Sequence, residues 1–476
     1  MLTNIPAQKQ RDRPLEILKK SLLRLRFYIG TELYKRRYRN FRPRGTKEAA
    51  VLGIAENVAY VATLLDRGNI EVFLKRLNEL TRQLLCEPLW GRALFIPELD
   101  ELTRKASLMI APPHCEATDP KLLVHVASVV HPIGGHTRVI EDIAAALPEY
   151  RHVLVITDMG NLAPNDSAPL RSRFEALRLH VQLLTAPGWL GKTRELSSTI
   201  ARLSPQAVML FAHYGDSIAF VGVPSRTVRR VVFFHQCDHF PALGATRTDY
   251  THVDLTPGCH RFCESRRGLG ASLLNLTVRD IGTVHVRERR PIFGVTCGSP
   301  HKYAGRGEFS YAELLAALFS SGVARMLHIG EMSESQKDRI CADIRANGQD
   351  ATRAVFLPNT PSLAKKLVEL GPDFYLESYP MGGGKAAVEA MCVGLPILAP
   401  HTAGASPLLN VDMTFGTSVV VSELAQVPAA VRRLESEKEA LSQRSRAVYE
   451  EHYSWSAFRQ GLLWAIAGED PRDQIS

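Results

Sequence analysis

The feature that most constrains this chain begins at Leu122. From there, short runs rich in β-branched residues alternate with helical patterns, and the alternation restarts once. The first series runs from LLVHVASVV through Val153–Thr157, His180–Leu184, Ala207–Ala212 and Arg230–Phe234. The second takes in Ile292–Thr296, Ala324–Ile329, Ala354–Leu357, Asp373–Leu376 and Pro396–Ala399. Strands separated by helices pair in parallel, because the helical crossover returns the chain to the starting end of the sheet. Two such series predict an α/β protein of two doubly wound, Rossmann-like domains facing a cleft, with a hinge near Thr283–Pro291.

Residues 1–120 read differently. Leu15, Leu18, Leu22, Leu25, Ile29 and Leu33 fall at steps of three and four, and Pro14 suits the first helical turn. A second stripe runs Val51, Ile54, Val58, Val61 and Leu65 and stops at Gly68. A third opens at Asn69, a good N-cap, and carries Ile70, Phe73, Leu77, Leu80 and Leu84. An all-helical N-terminal domain is therefore expected over 1–120, ahead of α/β domains at 121–285 and 286–450.

The net charge of +9 over 476 residues suggests a nucleic-acid binder until it is divided. Residues 1–50 hold 14 Lys/Arg against 4 Asp/Glu, so the other 426 residues sum to −1. Only one arm is basic. No stretch approaches the ~18 apolar residues of a spanning helix. Charges at Lys9, Arg11, Asp12 and Arg13 precede any apolar core, so no signal peptide is expected. Eight cysteines in a chain of this length read as reduced thiols, and a cytoplasmic location is expected.

The most informative segment is Asp373–Pro400, DFYLESYPMGGGKAAVEAMCVGLPILAP. A strand runs into a turn with Gly382, Gly383 and Gly384, and Lys385 opens a helix that ends at Gly394. Glycines in such a turn permit φ > 0 and close approach of a ligand, and the helix start is an anion site. Glu389, one turn further, can accept hydrogen bonds from sugar or ribose hydroxyls. A tight turn without a ligand is the competing reading.

This pattern resembles the donor-site motif of GT-B glycosyltransferases, in particular the group that includes O-GlcNAc transferase-like and bacterial protein-glucosyltransferase-like enzymes. Asp373, Leu376, Ser378, Pro380, Gly382, Gly383, Glu389, Ala390, Gly394 and Pro396 match that motif. Glu377 stands where the family has Asp, and Lys385 where it has a small hydroxyl residue. The resemblance implies a GT-B fold with the nucleotide-sugar donor on the second domain. It also implies that Lys302 and Ser299, in the loop after FGVTC, face the donor phosphates, beside Gly382–Lys385, Glu377 and Glu389. His328–Glu331 and Leu357–Thr360 end strands where the family places nucleotide contacts. The tail at 451–476 is similar to the helix that closes many GT-B chains by crossing back to the first domain.

On the first domain, His131-Pro-Ile-Gly134-Gly135-His136 follows the opening strand and starts a helix, a turn that GT-B enzymes aim at the donor. His136 is a candidate contact to the sugar or its phosphate. A second cluster, His235-Gln-Cys-Asp238-His239, follows the strand RRVVFFHQ. Transfer to a hydroxyl needs a base. Asp238 is that base or orients His239 as its base; local spacing does not choose between them.

Two decoys accompany these signals. Ala186–Thr193 nearly spells a phosphate-binding loop, but Ala186 and Pro187 spoil the required backbone cradle. His235, Cys237, His239, His252, Cys259, His260 and Cys263 crowd soft ligands together without the paired knuckles of common zinc sites, so no metal is expected. No cofactor is expected either, since helix dipoles and lysines can neutralise a leaving diphosphate. The basic arm, residues 9–47, reads as a solvated helix, an amphipathic surface for an anionic membrane, or a docking element for a protein. No nucleic-acid motif accompanies it.

Taken together, the residues and the resemblance predict a hexosyltransferase-like GT-B enzyme. It would move a sugar from a UDP-sugar to a hydroxyl of a polysaccharide, lipid-linked glycan or protein. The alternatives are a catalytically silent GT-B scaffold that binds through its helical arm and a sugar-nucleotide epimerase.

Overall fold

The computed structural model describes residues 47–84, 94–112, 118–132, 135–159, 168–236, 241–267, 270–284, 291–304, 308–401 and 410–468. The chain divides into two units, residues 1–60 and 61–476. The helix Lys47–Asp66 includes the described residues of the first. The predicted helix over Pro14–Tyr38 and most of the basic arm lie outside the described residues. Everything below concerns the second unit.

Its first sheet consists of β1 (Asp119–Ala127), β2 (Arg151–Ile156), β3 (Leu179–Leu183), β4 (Pro205–Phe211), β5 (Val231–His235), β6 (Thr251–Asp254) and β7 (Ser272–Leu273). The strands are parallel and run in the order β3-β2-β1-β4-β5-β6-β7. The second sheet holds β8 (Gly294–Cys297), β9 (Met326–Ile329), β10 (Ala354–Leu357), β11 (Phe374–Leu376), β12 (Ile397–Pro400) and β13 (Val419–Val421). Its order, β10-β9-β8-β11-β12-β13, is the doubly wound order again. Two Rossmann-like domains of a GT-B fold are therefore present. Each has a topological switch point, between β1 and β4 and between β8 and β11, where ligands of such sheets bind.

The strands form where they do because a central parallel strand is covered on both faces. In β1 all six residues from Leu122 to Ala127 are buried, His125 included, which explains the unbroken apolar run LLVHVA. Three strands go beyond the sequence expectation. β6 is short, with three polar residues in four, β7 has two residues, and β13 is a three-valine run.

Helices Ile70–Gln83 and Pro97–Ile110 pack on the outer helices of the first domain. Asn69 sits at the N-cap of the first of these, without a side-chain capping bond. The last described helix, Trp455–Ala467, crosses back to the first domain, where Arg459 pairs with Glu149 and donates to the Ala146 carbonyl. Leu274 and Leu276 beyond β7 share one core with Leu462 and Phe458, and that core runs through both domains.

Candidate functional site

A cavity of ≈ 320 Å³ lies between the two switch points. Its first-domain wall includes Gly135, His136, His235 and Gln236, and its second-domain wall includes Ser299, Lys302 and Gly382–Lys385. Nine of the sequence candidates are thus brought to one place, from segments up to 250 residues apart.

The second-domain wall is built around the turn after β11. Tyr379 and Pro380 are joined by a cis peptide, and Ser378 Oγ donates to the Met381 carbonyl at 2.8 Å, folding the turn over itself. The helix Gly384–Cys392 then starts at the cavity. Left-handed backbone was expected of this glycine run, but Gly383 has φ −114° and Gly384 is helical. Space is the requirement instead: a Cβ on Gly383 would stand 3.2 Å from Ser378 Oγ and 3.4 Å from Lys302 Nζ. The Lys302 ammonium donates to the Gly382 carbonyl at 3.0 Å, so it is held against the helix start, where charge and dipole both favour an anion.

Glu377 does not line the cavity. Its carboxylate is buried behind the turn and accepts the Gly383 N–H. Glu389 is likewise engaged elsewhere: its Oε2 accepts the Ala364 N–H at 2.6 Å, at the start of helix Leu363–Leu370. Burial raises the Glu389 pKa, and that backbone bond pulls the other way. Asp373 belongs to the scaffold too, since its Oδ2 accepts the Phe293 N–H at 2.8 Å beside an ion pair with Lys438. Lys385 lines the cavity, but its ammonium pairs with Asp142 on helix Gly135–Ala146 of the other domain.

His328, placed near the nucleotide by resemblance, is instead buried with its ring against Tyr303 and Tyr311. Glu331 after it is exposed.

On the first domain, His136 packs its ring 5.4 Å from that of His213, which follows β4 at the switch point. The residues around His213 are fixed by Asp216, whose Oδ2 accepts from Ser128 Oγ and Thr157 Oγ1, each at 2.6 Å. Ser128 Oγ in turn receives the His213 N–H at 2.8 Å. Burial lowers the His213 pKa, which favours a neutral imidazole. His213 is not among the sequence candidates, although its place just beyond a predicted strand is a usable signal. His131 is exposed and does not line the cavity. Gly134, Asp238 and His239 lie outside the described residues.

Behind the first-domain wall, His235, His252, Asp254 and Cys263 bring their ligating atoms within 4.8 Å of one another. Burial opposes charge on His235, yet hydrogen bonds to Asp254 and Cys263 push its pKa up to about 10. The fold gathers these four from two strands and one helix, an arrangement that the spacing along the chain does not encode.

The near phosphate-binding loop meets an anion of the protein's own. Helix Gly188–Leu203 begins there, and the Glu71 carboxylate accepts the Leu190 N–H at 2.7 Å. An anion already sits where a phosphate would.

No family model matches the sequence, and no curated relative does. Solved structures share the fold. A mutant of the O-GlcNAc transferase from Thermobaculum terrenum aligns at 15% identity and TM-score 0.53, covering 87% of this chain and 83% of its own. A Rickettsia africae glycosyltransferase aligns at 8% identity and TM-score 0.54, covering 73% of this chain and 98% of its own. HepE of Anabaena, solved with UDP-glucose, aligns at 12% identity and TM-score 0.52, over 73% and 100%. These likenesses show the GT-B fold.

Proposed function

We propose that this chain is a glycosyltransferase that takes a sugar from a nucleotide-sugar donor, a UDP-sugar, and passes it to a hydroxyl acceptor. The observation that carries the reading is the convergence of Lys302, the Gly382–Gly384 turn and the start of helix Gly384–Cys392 on one interdomain cavity. Its likeness in fold to an O-GlcNAc transferase, to a Rickettsia africae glycosyltransferase and to a structure solved with UDP-glucose supports the same reading.

In this reading the diphosphate rests on the helix start and Lys302, and both stabilise the charge that grows on the leaving group. No metal is required for that step. The donor sugar then faces His136, and the acceptor enters along the first domain past His235 and Gln236. A neutral His213 behind His136 suits a relay that takes up the acceptor proton. Asp238 and His239, three and four residues beyond β5 in the sequence, are the proposed alternatives for the base. Glu389, through its hold on Ala364, positions the loop between β10 and helix Leu363–Leu370, the wall proposed for the nucleotide base.

The test is a panel of UDP-, GDP- and ADP-sugars, first by thermal shift and then by mass spectrometry of products with glycan, lipid-linked and protein acceptors. A new glycoside from one donor is expected. Stabilisation by no sugar nucleotide overturns the donor site, and an isomerised donor without a glycoside makes the protein an epimerase.

The basic arm is proposed to hold the enzyme on an anionic membrane, near a lipid-linked acceptor of polysaccharide synthesis. The charge imbalance of residues 1–50 supports this. Among the described residues no helix is long and apolar enough to cross a membrane. Unchanged sedimentation with phosphatidylglycerol vesicles after deletion of residues 1–46 overturns it.

A further inference from the structure

The cluster behind the first-domain wall contains more polar groups than hydrogen bonding can use. Asp254 is fully buried on β6, and its Oδ1 has four close neighbours. His252 Nε2 lies at 2.9 Å, His235 Nδ1 at 3.1 Å, Cys259 Sγ at 3.3 Å and Cys263 Sγ at 3.5 Å. One carboxylate oxygen accepts about two good hydrogen bonds. The other oxygen, Oδ2, has no hydrogen-bond partner among the described residues, with His260 Nδ1 at 3.6 Å.

The tautomers sharpen the conflict. His252 Nδ1 stands 2.8 Å from the Ala245 carbonyl, so Nδ1 carries the proton. In a neutral ring, Nε2 is then a bare lone pair directed at the carboxylate. Two lone pairs that meet in a fully buried site call for a positive centre between them, a proton on the imidazole or a metal ion, and an outer carbonyl fixing the ring is the usual support of a metal-bound histidine.

We propose that His235 Nδ1, His252 Nε2, Asp254 Oδ1 and Cys263 Sγ bind a structural zinc ion. Around zinc with bonds of about 2.0–2.3 Å, tetrahedral ligand atoms stand roughly 3.3–3.8 Å apart. Cys263 Sγ stands 3.5 Å from both His235 Nδ1 and Asp254 Oδ1, inside that range; the two imidazole nitrogens lie closer to Oδ1, at 2.9 and 3.1 Å, and the set as a whole falls within 4.8 Å. Thiolate and imidazole ligands select zinc over magnesium or calcium. Cys263 binds as the thiolate and releases its proton to solvent. With one thiolate and one carboxylate, the dication is neutralised, which removes the penalty on burying it. Cys259, with its Sγ 3.4 Å from His235 Nδ1, flanks the set.

The ligands come from the end of β5, from β6 and from helix Pro257–Arg267. The ion therefore ties together the three elements that present His235, Gln236 and Thr256 to the cavity. All four positions are filled by protein, so the ion holds that wall in place and takes no part in the transfer.

The experiment is elemental analysis of the purified full chain after passage over a chelating resin, with cobalt substitution as a second readout. About one zinc per chain is expected, and the cobalt form should show thiolate-to-metal charge-transfer absorption. Cys263→Ser and His252→Ala should each lower retained zinc roughly tenfold or more, while Cys341→Ser keeps it. A folded wild-type chain with less than about 0.1 zinc, and no charge-transfer band on adding cobalt, overturns the proposal. Should the ligand variants fail to fold, the wild-type stoichiometry and the cobalt spectrum decide alone. None of these readouts depends on sugar transfer.

Discussion

Lys385 and Asp142 form an ion pair across the cleft, one from the first turn of helix Gly384–Cys392 and the other from helix Gly135–Ala146. Their side chains are 17% and 19% exposed, so water screens them only in part. Burial raises the Asp142 pKa and Lys385 pulls it back. The lysine that departs from the family motif is thus used to join the domains. Lys385→Ala leaves a largely buried carboxylate without this partner and should cost about 1–3 kcal/mol. Asp142→Asn in the same background should restore part of it. A double-mutant cycle by urea unfolding checks this, and purely additive single effects would remove the pair as a tie between domains.

Lys302 differs in that its ammonium donates to a carbonyl of the proposed phosphate turn. Lys302→Ala should lower kcat/KM for the nucleotide sugar about 100-fold with little change in stability, and Lys302→Arg should recover part. Turnover within about threefold of wild type would move the diphosphate site elsewhere.

Legibility in the sequence followed the range of the interactions. β1 was readable because a covered central strand must be apolar throughout, and the β11 turn because glycine, proline and a helix start follow one another. β6 was not, since His252 and Asp254 break its apolar pattern and are buried for what they meet in space. Helical spacing puts Glu389 near the cleft but does not reveal that Ala364 claims its carboxylate. The Lys385–Asp142 pair joins residues 243 positions apart, and no local pattern encodes such a partner.

Glu389 therefore carries a stability prediction separate from catalysis. Its Oε2 accepts the Ala364 N–H at the start of an eight-residue helix, which acts as an N-terminal cap. Glu389→Ala should destabilise the chain by about 1 kcal/mol, and Glu389→Gln, which keeps an acceptor oxygen, should recover most of this. Chemical denaturation of the two variants without donor is the measurement. Equal stability of Glu389→Ala and wild type would leave the carboxylate without a capping role.

The pH dependence of stability rests in part on His328. Burial lowers its pKa to about 4, with a bond to the Gly298 backbone acting the other way. The unfolded chain protonates this residue near pH ~6.5, so between that pH and 4 the unfolded state binds the extra proton and gains on the folded one. Stability is thus retained above pH ~6.5 and declines as the solution is acidified toward 4, by about 3 kcal/mol from this group. His125, His152 and His213, whose pKa values burial also lowers, steepen the same limb. His328→Gln removes one titration and should flatten the decline without abolishing it. Urea unfolding at half-unit steps from pH 7 to 4 makes the comparison, and parallel profiles for variant and wild type would show that His328 is not the group responsible.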